Sequence, residues 1–134
     1  MHIARNGKVD GIHPNRVLAE LQERFAPDAI VVTDAGDFFS FTRVGLPASI
    51  YLDLGSRDCI GISTPFGVAA RLDFPKGQVV VATGDGAFRF TAMEIDTAVQ
   101  HNAPLLIVVA NNGACQIELH NQTDTHRKVV GTGL

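Results

Sequence analysis

The sequence predicts an α/β domain built on a parallel sheet with helices on both faces. Three observations carry this: short β-branched runs alternate with stretches of helical periodicity, the runs are apolar at consecutive positions, and each is followed by Gly, Asp or Asn. Consecutively apolar strands are buried on both faces, and a chain that alternates them with helices brings each strand back in the same direction.

The elements follow in order. Residues 1–13 mix charges and glycines without periodicity and read as an extended lead-in or linker remnant, with the domain proper over 14–134. Pro14 suits a first helical turn, and Val17, Leu18, Leu21 and Phe25 recur at helical spacing until Pro27, so a helix is expected over Asn15–Phe25. Ala29–Thr33 (AIVVT) is a buried strand running into Asp34-Ala35-Gly36-Asp37, and Ile50–Leu54 is a weaker strand. After the loop GSRDCIGIS, the small apolar stretch Thr64–Leu72 suits a packed helix with Pro65 in its first turn. Val79–Thr83 (VVVAT) and Leu105–Ala110 (LLIVVA) are two further buried strands, separated by an amphipathic helix over Thr91–Gln100 that ends near His101.

Composition bounds the function. The chain has 134 residues, 46% of them hydrophobic, enough for one modest core and one domain. Fourteen acids against eleven bases leave a net charge of −3 with no long basic run, so nucleic acid is not an expected partner. The longest strongly apolar stretch, Pro104–Ala110, is far below the roughly 20 residues of a membrane span. Two cysteines, Cys59 and Cys115, are too few for a disulfide framework and read as buried free thiols, which with no recognisable signal peptide points to a soluble cytoplasmic protein.

In parallel sheets ligands bind beyond the carboxyl ends of the strands, and two of those ends are distinctive. VVVAT runs into Gly84-Asp85-Gly86-Ala87-Phe88, and LLIVVA runs into Asn111-Asn112-Gly113-Ala114. One crossover between them brings Asp85 and Asn112, 27 positions apart, to the same edge. A carboxylate and an amide oxygen are hard donors suited to Mg²⁺, which takes about six oxygen ligands and keeps water and substrate phosphate among them. Glycines beside them let backbone N–H groups approach phosphate oxygens closely. Singly, Asp85 and the Asn-Asn-Gly run are ordinary turn formers; together at adjacent strand ends they point to a magnesium and diphosphate site.

GDG followed by NN at this spacing resembles the thiamine-diphosphate motif of a large enzyme family. The wider text, GDGAFRFTAMEIDTAVQHNAPLLIVVANNGA, looks most like the acetolactate synthase branch, with related decarboxylases and lyases sharing much of it. The resemblance covers most of the chain and implies the family's diphosphate-binding domain, with thiamine diphosphate and Mg²⁺ as cofactors and a 2-oxo acid as substrate of a carboligase or decarboxylase. It implies Asp85, the Asn112 side-chain oxygen and the Ala114 carbonyl as metal ligands. Gly84 and the main chain of Gly86, Ala87 and Phe88 would lie along the diphosphate, with Gly36 and Asp37 in a second cofactor-contacting loop. Asp58-Cys59-Ile60-Gly61 resembles the stretch beneath the cofactor, with Ile60 as the apolar wedge that bends it so that its aminopyrimidine reaches the thiazolium carbon.

The same resemblance leaves half the active site outside the chain. The activating glutamate belongs to a pyrimidine-binding domain, usually of a partner subunit, so no catalytic residue is assigned here; that domain is an expected partner and a homo-oligomer is expected. Relatives continue past HRKVVGTGL through another helix and strand, so the diphosphate domain reads as incomplete and the chain as a fragment, inactive alone. Arg89, Asp58 and Cys115 depart from the family's usual small residue, glycine and bulky residue at those places, and Arg89 is expected to face solvent.

Bland alternatives accompany the site. An apolar residue near a helix start, such as Ile60, is most often core. His120 and His126 flank NQTDT at no zinc spacing and read as a loop pair. A non-catalytic nucleotide- or phosphate-binding α/β module is the main competing function, but it would want GxGxxG, and the third position here is Arg89. A phospho-acceptor domain using Asp34 and Asp37 would need a charge-balancing lysine that Lys8, Lys76 and Lys128 do not obviously supply.

Overall fold

The computed structural model describes residues 11–57 and 59–134. Four parallel strands, β1 (Ile30–Thr33), β2 (Ile50–Leu52), β3 (Val79–Gly84) and β4 (Leu106–Ala110), form one sheet in the order β2-β1-β3-β4. Among the described residues six α-helices surround it: α1 (Pro14–Gln22), α2 (Asp37–Gly45), α3 (Ser63–Asp73), α4 (Asp85–Thr91), α5 (Glu94–Gln100) and α6 (Gln116–His126). The α/β parallel-sheet class is as the sequence predicts.

The two central strands are buried on both faces, and period-two alternation divides their side chains between two cores. Val31 and Ala82 pack with Leu18 of α1, Phe38 of α2 and Leu46 on one face. Ile30, Val32, Val79 and Val81 meet Ala70 of α3 on the other, where Val68 also packs with Ala98 of α5 and Ala103. Pro14 does open α1 and Pro65 lies in the first turn of α3.

Several elements differ from the sequence-based expectation. β4 is an edge strand, and Leu106 is 47% exposed, so the third strand is not buried on both faces. α1 stops at Gln22, short of Phe25, because the chain must turn before Pro27 and the helix buries only Leu18. The helix expected over Thr91–Gln100 is two: α4 already begins at Asp85, and the break at Ala92–Met93 separates it from α5. Gly-Asp-Gly is therefore a strand end plus a helical first turn, rather than a free loop.

α2 and α6 were not expected. The buried stripe of α2 is Phe38, Thr42 and Gly45, spaced four and three, so two of its three inward positions are not hydrophobic. Thr42 satisfies its hydroxyl by donating to the Phe39 carbonyl, and it accepts from the Tyr51 hydroxyl at 3.0 Å. Gly45 allows Leu18 to approach, where a Cβ would stand 2.9 Å from Leu18 Cδ1. Burial raises the Tyr51 pKa above its ordinary value, with the Thr42 hydrogen bond acting against it. α6 buries no residue and has no apolar stripe; local bonds such as Thr123 Oγ1 to the Leu119 carbonyl hold it, and His120 and His126 lie on this helix instead of a loop. Among the described residues, no helix is long and apolar enough to cross a membrane.

Candidate functional site

The strand order reverses between β1 and β3: from β1 the chain moves outward to β2, then returns past β1 to β3 and β4. At such a switch point the loops beyond neighbouring strand ends diverge and leave a crevice. A cavity of about 590 Å³ lies there, within the range of small-molecule sites. Its walls include Gly36 and Asp37 after β1, Ile60 before α3, Gly84 at the end of β3 with Asp85–Ala87 after it, and Asn112 and Ala114 after β4.

The register explains the convergence. Gly84 of β3 pairs with Ala110 of β4, so the chain leaves both strands at one level with Asp85 beside the Asn111–Ala114 turn. Asp85 is 7% exposed; its Oδ1 accepts from the Gly86 N–H and its Oδ2 from the Gly113 N–H at 2.9 Å. One buried carboxylate thus ties the start of α4 to the turn after β4. Asn111 Oδ1 accepts from the Gly113 N–H, and Asn112 Oδ1 accepts from the Ala114 N–H at 3.1 Å. The turn reading of Asn-Asn-Gly is therefore correct and compatible with the site reading, because an amide oxygen has a second lone pair to offer.

Ala114 forms an antiparallel bridge with Gly133, whose bonds run from the Cys115 N–H to the Thr132 carbonyl and from the Leu134 N–H to the Gly113 carbonyl. The Ala114 carbonyl lies outside that pairing. Gly84 has open space where a Cβ would stand, whereas a Cβ at Gly86 would meet Cys115 Sγ at 3.1 Å. Gly36, with φ +112°, takes a backbone conformation that favours glycine as β1 gives way to α2. Asp37 opens that helix, and its Oδ2 lies 3.7 Å from His120 Nε2 of α6. Gln116 lines the cavity, 2.8 Å from His120 and within 3.4 Å of Asn112.

Most of the sequence-predicted site residues therefore meet in one cavity. Phe88 stands one turn further along α4 and is not part of its wall, and Asp58 lies outside the described residues. Ile60 is 44% exposed and lines the cavity, which removes the core alternative for it. Cys59 is exposed, against the expectation of a buried thiol, and Cys115 is half-buried at the cavity wall. Arg89 is exposed. The wall also contains Gln116, Ile117 and Glu118 from α6, which sequence reasoning missed because that helix carries no periodic signal.

A carboxylate, an amide oxygen and flanking glycines thus meet at the switch point of a parallel sheet, the place where open α/β domains bind ligands. Residues 31–133 match the C-terminal TPP-binding domain of thiamine pyrophosphate enzymes, and the chain belongs to that family. It is 43% identical over 112 residues to an acetolactate synthase large subunit of Mycobacterium tuberculosis, covering 81% of this chain and 20% of that protein. It is also 32% identical over 103 residues to a 2-hydroxyacyl-CoA lyase 1 of Dictyostelium discoideum, covering 75% of the chain and 18% of the relative. A sulfoacetaldehyde acetyltransferase of Alcaligenes xylosoxydans xylosoxydans is 31% identical over 121 residues, or 87% of the chain and 20% of the relative. The chain spans about a fifth of the length of these relatives.

Proposed function

We propose that the chain supplies the diphosphate- and Mg²⁺-binding half of a 2-oxo-acid carboligase or decarboxylase site, most like that of acetolactate synthase. The observation that carries this is the buried Asp85 carboxylate, bonded to the Gly113 N–H beside Asn112 and facing the same cavity as Gly36, Asp37 and Ile60. Asp85, Asn112 Oδ1 and the Ala114 carbonyl are the protein donors for Mg²⁺, a hard-oxygen set to which diphosphate and water oxygens would bring coordination to about six. Gly84, Gly86 and Ala87 accommodate the diphosphate through the main chain, and Asp37 and Ile60 bound the remainder of the cofactor. Thiamine diphosphate supplies the carbanion chemistry when bound; this chain binds, orients and shields it from water.

The substrate is a 2-oxo acid, and the activating glutamate comes from a pyrimidine-binding domain of the same assembly. Exposed apolar side chains on α4, α5 and β4 and in the break between the two helices, including Phe90 at 67%, Met93 at 82% and Val99 at 70%, support burial against further protein and a homo-oligomer. Two unpaired thiols are compatible with the reducing cytoplasm.

Calorimetric titration of thiamine diphosphate into the purified chain, with Mg²⁺ and with EDTA, tests the reading. Binding that requires Mg²⁺ is expected; a full-length protein that shows none refutes it. The chain alone is expected to form no acetolactate from pyruvate, and measurable turnover by the pure chain overturns the assignment of the missing half-site to another domain.

A further inference from the structure

Asp34 is 1% exposed, follows β1 directly, and has no part in the site as proposed. Its Oδ1 accepts from the Ala35 N–H at 2.9 Å and the Gly61 N–H at 2.8 Å, and its Oδ2 accepts from the Ser63 N–H at 2.8 Å. A carboxylate in the core is costly unless its oxygens are satisfied, and these three donors satisfy it. The Ser63 bond serves α3, whose N-cap Ile62 makes no side-chain cap of its own. The Gly61 bond does something capping does not require, since it ties the loop before α3 to the end of β1, where Gly36 and Asp37 begin.

Gly61 is held from its other side as well. Its carbonyl accepts from Thr91 Oγ1 at 2.7 Å, its φ is +86°, and a Cβ there would stand 2.6 Å from Phe90 Cβ. Both peptide groups of Gly61 are thus fixed, one by Asp34 and one by the end of α4. Ile60, the residue before, lines the cavity, and its backbone is joined directly to that fixed glycine.

We infer that Asp34 is a positioning residue for the cofactor: together with Thr91 it clamps Gly61 and so sets where Ile60 meets the organic part of thiamine diphosphate. This rests on the function proposed above, in which Ile60 bounds that part of the cofactor and the glycine loop bounds the diphosphate. The two parts are separable by ligand. Asp34 should therefore govern affinity for thiamine diphosphate and leave affinity for inorganic diphosphate alone.

The test is calorimetry on the full chain with Mg²⁺ and either thiamine diphosphate or inorganic diphosphate. Asp34→Asn is expected to weaken thiamine diphosphate about tenfold while inorganic diphosphate stays within about twofold of the parent. Ile60→Ala should reproduce that selectivity, and the double variant should bind no more weakly than Ile60→Ala. Equal weakening of both ligands makes Asp34 a general scaffold residue and overturns the inference, as does no weakening or a fully additive double variant. Should Asp34→Asn not fold by circular dichroism, Thr91→Val, which removes only the bond to the Gly61 carbonyl, carries the test. Its expected effect is a selective loss of about threefold, and an equal loss or none overturns the inference. A parent chain that binds thiamine diphosphate normally while its variants show no selectivity refutes the positioning role alone. A parent that binds neither ligand refutes the proposed function and this inference with it.

Discussion

Asp85→Ala lowers the Mg²⁺-dependent affinity for thiamine diphosphate by about 100-fold or more, equivalent to about 2.7 kcal/mol. The magnitude follows from what the carboxylate would contribute on the proposed reading: the one anionic protein ligand in a set otherwise made of an amide oxygen and a main-chain carbonyl. The substitution also removes the bond from the Gly113 N–H to Asp85 Oδ2, so the loop that bears Asn112 and Ala114 loses its tie to the end of β3. Asn111 Oδ1 still accepts from that N–H, which limits the loss of fold stability to about 1 kcal/mol. Asp85→Asn separates charge from shape and should recover little affinity, because an amide nitrogen brings no ligand and one neutral oxygen replaces a carboxylate. Asn112→Ala should cost less than Asp85→Ala, since Asn112 is exposed and its oxygen already serves the Ala114 N–H. The assay is titration with and without EDTA: an Asp85→Ala chain that keeps Mg²⁺-dependent affinity within about threefold of the parent would exclude Asp85 as a ligand.

That Asp85 and Asn112 converge was legible because two physical rules act on residues the sequence shows directly. Consecutive parallel strands place their carboxyl ends on one edge, and the β-branched runs VVVAT and LLIVVA mark those ends within a residue. The central strands, which open on consecutive β-branched apolar residues, were legible for the same reason. What escaped is whatever depends on tertiary contact without leaving a periodic apolar trace. α2 turns Thr42 and Gly45 toward the core, so its inward stripe is disguised by a polar and a small residue, and α6 has no inward stripe at all. Asp34 looked like a loop acid because its partners, Gly61 and Ser63, are 27 and 29 residues away and contribute only backbone N–H groups, which no side-chain pattern can announce. Ile60 is the converse case: its type suggested burial, and it is exposed at the cavity beside a glycine whose N–H and carbonyl are both bonded.

Gly67→Val destabilises the fold by about 3 kcal/mol or more. Gly67 is buried on the face of α3 that meets the sheet, and a Cβ there would stand 2.4 Å from Val81 Cγ2 and 3.6 Å from Leu105 Cδ1. Something has to give, and the sign of the effect depends on whether Val81 can. It is fully buried in the centre of β3, paired with Val32 on one side and Ile107 on the other, and its β-branched side chain has little rotamer freedom. The helix must therefore lift off the sheet, opening gaps around Ala70 and Val68 that forfeit packing on both sides of α3. Gly67→Ala meets the same contact but regains about 1 kcal/mol from helix propensity, so its net cost is smaller. Trimming the obstacle distinguishes this from a general intolerance of the site: in a Val81→Ala background, the cost of Gly67→Val should fall by more than half, measured by urea unfolding. An unchanged cost in that background would show that Val81 is not what fixes the helix. The displacement also bears on function, because α3 begins with Ser63, whose N–H is held by Asp34. A helix moved outward strains that bond and the adjoining Gly61 clamp, so thiamine diphosphate affinity should drop in Gly67→Val even at temperatures where the variant remains folded.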